Sequence, residues 1–256
     1  MLKAFARGRL FGEAYGASTP WVLALHGWAR THGDFDEVLA PGAADHDALD
    51  AIALDLPGFG SAPPPEDAWG SRQYAELVEA ILDEMAPQVV LVGHSFGGRV
   101  AVHLAARNPE RVHALVLTAA PVSRAPQPAR RPALRYRLVR SLSRARLLGP
   151  GALEAARQRY GSRDYKAAQG VMRDVLVRVV NETYETELAS IRCPVELIWG
   201  ERDRDVPPEV ARQVRSNLAE LPGPQEVSVA VLAGKGHLTP LEAPGEIRAA
   251  ILRHRP

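Results

Sequence analysis

Apolar residues recur along this chain as short, nearly uncharged runs. They are Trp21-Val22-Leu23-Ala24-Leu25, Ala51-Ile52-Ala53-Leu54, Val89-Val90-Leu91-Val92, Val112 to Leu117, Pro194 to Gly200 and Val227 to Leu232. Runs of this length, rich in β-branched residues, predict strands covered on both faces. Between them the spacing changes. Tyr74, Leu77, Val78, Ile81, Leu82 and Met85 recur at helical intervals, with Ser71 placed to cap the N-terminus, so a helix is predicted over Ser71 to Met85. Val100 to Ala106, Pro207 to Leu218 and Pro244 to Arg253 read as further helices. Leu2 to Tyr15 alternates weakly, with Gly8, Gly12 and Gly16 as turn points, and predicts an edge hairpin. Strands alternating with helices over this length imply a mostly parallel sheet covered on both sides. The rhythm breaks between Val122 and Arg192, where no apolar strand occurs and helical stretches are punctuated by Pro128, Pro132, Gly149-Pro150-Gly151 and Gly161. The expected organisation is one core domain, residues 1–121 and 193–256, interrupted by a helical segment over 122–192.

Composition narrows the class. A chain of 256 residues can bury one substantial core. The formal charge of +1 gives no global attraction to nucleic acid or to an anionic membrane, and neither partner is expected. No apolar run reaches membrane-spanning length. Lys3, Arg7 and Arg9 open the chain without an uninterrupted apolar stretch, so no secretory leader is expected. The lone Cys193 excludes an intramolecular disulfide framework and fits a reducing compartment. A cytoplasmic protein is therefore expected, as a monomer or homodimer.

The chemistry concentrates after the third run. Val89 to Val92 stops at Gly93-His94-Ser95-Phe96-Gly97, and a helical spacing starts within a few residues. Gly-x-Ser-x-Gly between a strand and a helix is the sequence form of a nucleophile elbow. It lifts a serine hydroxyl to the apex of a strained turn and presents the first helical amides beside it. No Gly-x-x-x-x-Gly-Lys-Ser/Thr loop, no Gly-x-Gly-x-x-Gly opening a helix and no His-Glu-x-x-His occurs. No cofactor or metal is expected.

This stretch resembles the elbow of the α/β-hydrolase superfamily. His26-Gly27, Gly58-Phe59-Gly60-Ser61, Gly200-x-x-Asp203 with Pro207, and Gly236-His237 followed by Glu242 and Pro244 are similar to that superfamily's other signatures, in the same order. The resemblance implies an α/β-hydrolase fold. Its parts would be a mostly parallel eight-stranded sheet flanked by helices, with a helical cap after the sixth strand, and its activity a capped carboxylesterase. It also implies the order serine, acid, histidine along the chain. Of eight histidines, His237 alone sits in a glycine-containing loop after the last strand. Glu201, Asp203 and Asp205 compete for the acid, and the family spacing favours Asp203, with Asp205 its rival. No carboxylate lies between Glu110 and Glu154, which closes the variant carrying the acid one strand earlier. The oxyanion donors implied are the backbone N–H groups of Trp28 and Phe96, with main-chain geometry at Gly27 mattering more than the Trp28 indole. His26, Gly27, His94 and Leu238 are candidates to shape the substrate pocket, the two histidines being read as structural or pocket-shaping and not catalytic, and Asp55 to Ser61 as a structural turn beside it.

Within this frame the expected substrate is a small-molecule ester. A C–C hydrolase, a lactonase or a perhydrolase would use the same three side chains, and a slow-turnover small-molecule receptor would retain them. Arg124, Arg130, Arg131, Arg135, Arg137, Arg140, Arg144 and Arg146 fall in a stretch without acidic residues. They form either a solvated face in a chain with 28 arginines and 3 lysines, or an electropositive entrance for an anionic or carrier-linked substrate.

Overall fold

The computed structural model describes residues 1–40, 49–123, 151, 162–221 and 226–256. Its eight strands are β1 (Leu2–Phe5), β2 (Leu10–Tyr15), β3 (Val22–Leu25), β4 (Ala51–Asp55), β5 (Val89–His94), β6 (Val112–Thr118), β7 (Val195–Gly200) and β8 (Val227–Leu232). They form one sheet in the order β1-β2-β4-β3-β5-β6-β7-β8. The β1–β2 hairpin is antiparallel and β2 joins β4 antiparallel, while every pair from β4 to β8 is parallel. Gly12, read from sequence as a turn point, instead lies inside β2 opposite Leu54.

β3, β4, β5 and β7 are buried along their whole length and apolar but for Asp55 and His94 at two strand ends and Glu196 inside β7, whose carboxylate meets Arg253 and His254. β8 lies at the sheet edge and alternates half-buried with exposed positions. From β3 the chain steps outward to β4, then crosses to β5 and proceeds the other way through β6, β7 and β8. A crevice opens where that direction reverses, at the carboxyl ends of β3 and β5, and ligands of open α/β sheets bind in such crevices.

Two apolar layers cover the sheet. One contains Tyr74, Ala75 and Val78 of α2 (Ser71–Val78), Val100 and Leu104 of α3 (Phe96–Arg107), and residues of two helices introduced below. The other contains Val38 and Leu39 of α1 (Asp36–Leu39).

Between β6 and β7 the described residues form three helices joined by loops: α4 (Arg163–Ala167), α5 (Gly170–Val179) and α6 (Glu185–Ser190). After β7 come α7 (Glu209–Ala219), α8 (Thr239–Glu242) and α9 (Pro244–Arg253). Val175 of α5 and Val210 of α7 join the first layer, and Ile247 and Ile251 of α9 the second. The eight arginines from Arg124 to Arg146 lie outside the described residues.

The helix expected over Ser71 to Met85 is α-helical only to Val78 and then tightens into a 3-10 helix over Glu79–Glu84. Its apolar positions stay buried, since a three-residue turn keeps Val78 and Ile81 on one side. Ser71 does not cap it. Gly70 is the N-cap, and the Ser71 N–H and hydroxyl donate to the Glu182 carboxylate at 3.0 and 2.5 Å. A carboxylate from the segment between β6 and β7 thus satisfies the positive end of α2.

Candidate active site

Ser95 sits at φ 49° and ψ −109° between β5 and α3, a backbone region that non-glycine residues rarely occupy. The turn is over-determined by its neighbours. The Ser95 N–H donates to the Thr118 carbonyl at 2.9 Å and the Gly97 N–H to the His26 carbonyl at 2.9 Å. A Cβ at Gly97 would overlap the Leu25 carbonyl of β3, and one at Gly93 would overlap the Gly97–Gly98 backbone. The glycines are needed because strand and helix pack backbone against backbone.

Three carboxyl-end loops deliver the remaining groups. The loop after β7 carries Asp203, whose side chain is 0% exposed. Its Oδ1 accepts the N–H groups of Asp205 and Val206 at 2.9 and 2.8 Å, and its Oδ2 lies 2.7 Å from His237 Nδ1. A carboxylate only accepts, so Nδ1 carries the proton. The other ring nitrogen, Nε2, lies 3.2 Å from Ser95 Oγ. In this tautomer it is free to accept the serine proton. Burial of the ring disfavours its protonation. The hydrogen bond to Asp203 and the negative charges of Asp203, Asp205 and Asp164 outweigh that, and the His237 pKa lies above its ordinary 6.5.

The structure therefore brings together Ser95, Asp203 and His237. Asp205 meets Asp203 through its backbone N–H. Asp203, Asp205 and His237 also have potential ligand atoms within 4.8 Å of one another. Both Asp203 oxygens already accept N–H bonds, an arrangement suited to moving a proton.

The loop after β3 places Gly27 against the site, where a Cβ would meet His94 at 2.9 Å and Ser95 Cβ at 3.4 Å. Next to it, Trp28 is half-buried, and among the described residues its N–H and that of Phe96 have no acceptor.

Two pocket candidates prove to be packing residues. His26 is 0% exposed and pins two loops together, its Nδ1–H on the Gly27 carbonyl at 2.7 Å and its Nε2 accepting the Leu56 N–H at 2.9 Å. Burial lowers its pKa to about 4. His94 is 1% exposed and bonded to Thr118 Oγ1 at 2.9 Å. Burial, with repulsion from His237, lowers its pKa to about 3. Leu238 is half-buried.

Asp55 anchors the turn that follows it, accepting from the N–H groups of His32 and Ser61 at 2.9 and 2.8 Å. Burial opposes its charge, but these bonds and the His32 ring hold its carboxyl below the ordinary value.

Sequence reasoning missed how the His237 loop is held. The Glu242 carboxylate accepts the Gly236 N–H at 2.7 Å, and Lys235 Nζ donates to the Glu242 carbonyl at 2.6 Å. Glu242 was visible in the motif, five residues after His237, but its partner was not.

A profile described as "Alpha/beta hydrolase family" matches residues 22–250. Lipase LipV of Mycobacterium tuberculosis is 31% identical over an alignment of 271 positions, gaps included, that covers 95% of this chain and 96% of that protein. A pimeloyl-[acyl-carrier protein] methyl ester esterase of Klebsiella pneumoniae is 32% identical over 110 residues, 43% of this chain and 40% of that enzyme's length. Among solved structures, a membrane phospholipase A superposes with a TM-score of 0.69 at 23% identity, covering 96% of this chain and 81% of that one. The carboxylesterase CesB of Bacillus subtilis superposes with a TM-score of 0.68 at 20% identity, covering 99% and 90%. At these identities the two structures speak for the fold alone.

Proposed function

The chain belongs to the alpha/beta hydrolase family, and we propose that within it the protein is a serine carboxylesterase acting on small to medium acyl esters. One observation carries this: His237 bridges the Ser95 hydroxyl and the Asp203 carboxylate, at 3.2 and 2.7 Å. Ser95 Oγ attacks the ester carbonyl while His237 Nε2 takes its proton. The tetrahedral oxyanion is held by the N–H groups of Trp28 and Phe96. Collapse breaks the bond to the alcohol, which leaves with the proton from His237. Water, deprotonated by the same nitrogen, then cleaves the acyl-enzyme and restores Ser95. Asp203 keeps the imidazole in the tautomer these transfers need.

The test is hydrolysis of p-nitrophenyl acetate and butyrate. Steady turnover is expected, with Ser95→Ala and His237→Ala folded but inactive. An active Ser95→Ala protein overturns the mechanism, and a single burst followed by near-silence favours a receptor.

The segment 122–192 is assigned as a cap, supported by the helical state of its described part and by the tie between Glu182 and Ser71. An anionic or carrier-linked substrate at its arginine-rich stretch is a finer proposal, supported by the sequence and by the Klebsiella relative, named as an esterase for a carrier-linked methyl ester. Under it, kcat/KM falls with added salt for anionic esters and not for neutral ones. Equal responses dismiss it. Among the described residues no helix is long and apolar enough to cross a membrane. Cys193, buried and with its thiol pushed up to about 12 by that burial, is an inert thiol in the cytoplasmic setting we adopt.

A further inference from the structure

We infer that the Trp28 indole is a positioning group for this hydrolysis: wedged between the sheet core and the helices α4 and α5, it sets the place of its own backbone N–H at the oxyanion. This rests on the esterase reading above and extends it to a coupling between the segment after β6 and catalysis.

Tyr165, Ala168 and Leu176 form an apolar cluster of their own, separate from the two layers on the sheet. Among the described residues, Trp28 is the one side chain packed against both that cluster and the larger sheet layer. On the sheet side its ring meets Phe59 edge-on at 4.9 Å and Phe96 at 5.6 Å between centroids. The two residues assigned as oxyanion donors therefore touch through their rings as well.

The backbone around Trp28 leaves little slack. Gly27 is pressed against His94 and Ser95, Ala29 takes a left-handed φ of 54°, and the Arg30 N–H closes the turn on the Gly27 carbonyl at 3.3 Å. The peptide carrying the Trp28 N–H is thus fixed at one end by the elbow and at the other by the indole. If the indole shifts because α4 and α5 seat differently, that peptide turns. Oxyanion donors act over a narrow range of distances, and a displacement of about 1 Å can cost on the order of a hundredfold in rate.

The experiment is a double-mutant cycle on p-nitrophenyl acetate, pairing Trp28→Ala with Leu176→Ala. Leu176 is 7% exposed and belongs, with Tyr165 and Ala168, to the cluster against which Trp28 packs. Leu176→Ala is expected to lower kcat about tenfold at nearly constant KM in the wild-type background, and less than twofold when Trp28 is already alanine. Trp28→Phe, which keeps a ring, is expected to recover most of the kcat lost by Trp28→Ala. The emission assigned to Trp28, taken as wild type minus Trp28→Phe, should shift to the red in Leu176→Ala. Should Leu176→Ala fail to fold, Tyr165→Leu replaces it in the same cycle. Equal losses in both backgrounds, or no loss in the wild type, overturn the proposal while leaving the esterase reading intact. A wild type without ester turnover removes both.

Discussion

Replacing Asp203 by asparagine changes one oxygen for one amide, and the structure dictates which way that amide points. Oδ1 of Asp203 accepts two backbone N–H groups, from Asp205 and Val206, while Oδ2 meets His237 alone. An asparagine that kept its carbonyl on the two amides would turn its NH2 toward His237. The reverse orientation would set that NH2 against two donors, leaving the buried Val206 N–H unpaired at about 1–3 kcal/mol and the part-buried Asp205 N–H without its acceptor as well. The first orientation wins, so His237 Nδ1 must become an acceptor. Its proton then moves to Nε2, which faces Ser95 and can no longer receive the serine proton. Removing the acid from such a triad lowers kcat by about 10⁴, or roughly 5.4 kcal/mol of transition-state stabilisation.

The charge also disappears. With burial still opposing the imidazolium, the His237 pKa must fall from its raised position. The acid limb of kcat/KM, expected above pH 6.5 in the wild type, should move to lower pH. Initial rates of p-nitrophenyl butyrate hydrolysis between pH 5 and 9, corrected for the spontaneous reaction, measure both effects. Asp205→Asn is the control, retaining activity within a few-fold because its backbone N–H still serves Asp203. An Asp203→Asn enzyme within tenfold of wild type, with its acid limb unmoved, would refute the tautomer argument.

Three further perturbations follow from the same contacts. The folded pKa values of His26 and His94, about 4 and 3, lie below the unfolded value near 6.5. Stability is therefore full above that value and lost as pH falls toward 4, with His26 alone accounting for about 3 kcal/mol. His237 acts in the opposite sense, stabilising below 6.5 and losing that effect as pH rises through its folded value. Urea unfolding across pH 4–7 should show a net decline on acidification that His26→Gln flattens. Gly97→Ala drives a methyl into the Leu25 carbonyl, main chain that no rotamer change can clear. About 3 kcal/mol is the expected cost, a fall in Tm on the order of 6–12 °C by calorimetry. Glu242→Ala frees the Gly236 N–H beside His237 and should lower kcat about tenfold with an acid limb shifted down, whereas Glu242→Gln keeps an acceptor and should stay near wild type.

Much of the fold was legible because its signals are local. A strand buried on both faces is apolar at nearly every position, and a buried charge such as Glu196 needs partners, here Arg253 and His254; a strand-to-helix turn this tight must have glycine where backbones meet. The runs at 22–25, 51–55, 89–94 and 195–200, and the elbow at Ser95, could be read from neighbouring residues alone. The switch to 3-10 geometry after Val78 could not, since the same apolar spacing satisfies both helices. Nor could the capping of α2 by Glu182, 111 residues from Ser71.

For the site, sequence supplied residue types and their order, but neither distance nor exposure. His237 stands 142 positions from Ser95 and 34 from Asp203, and only the parallel strands β3 to β8, with their carboxyl ends on one edge, bring their loops together. Whether a histidine beside a motif faces substrate or packs inside depends on which loop covers it. For that reason the sequence left His26 and His94 open between structural and pocket-shaping roles, and the structure shows both as buried pins. By itself the sequence determined which segments become strands and where a strained serine must sit. Tertiary structure decided which side chains meet there, because contact across a fold depends on strand order and loop packing, which no single stretch of chain encodes.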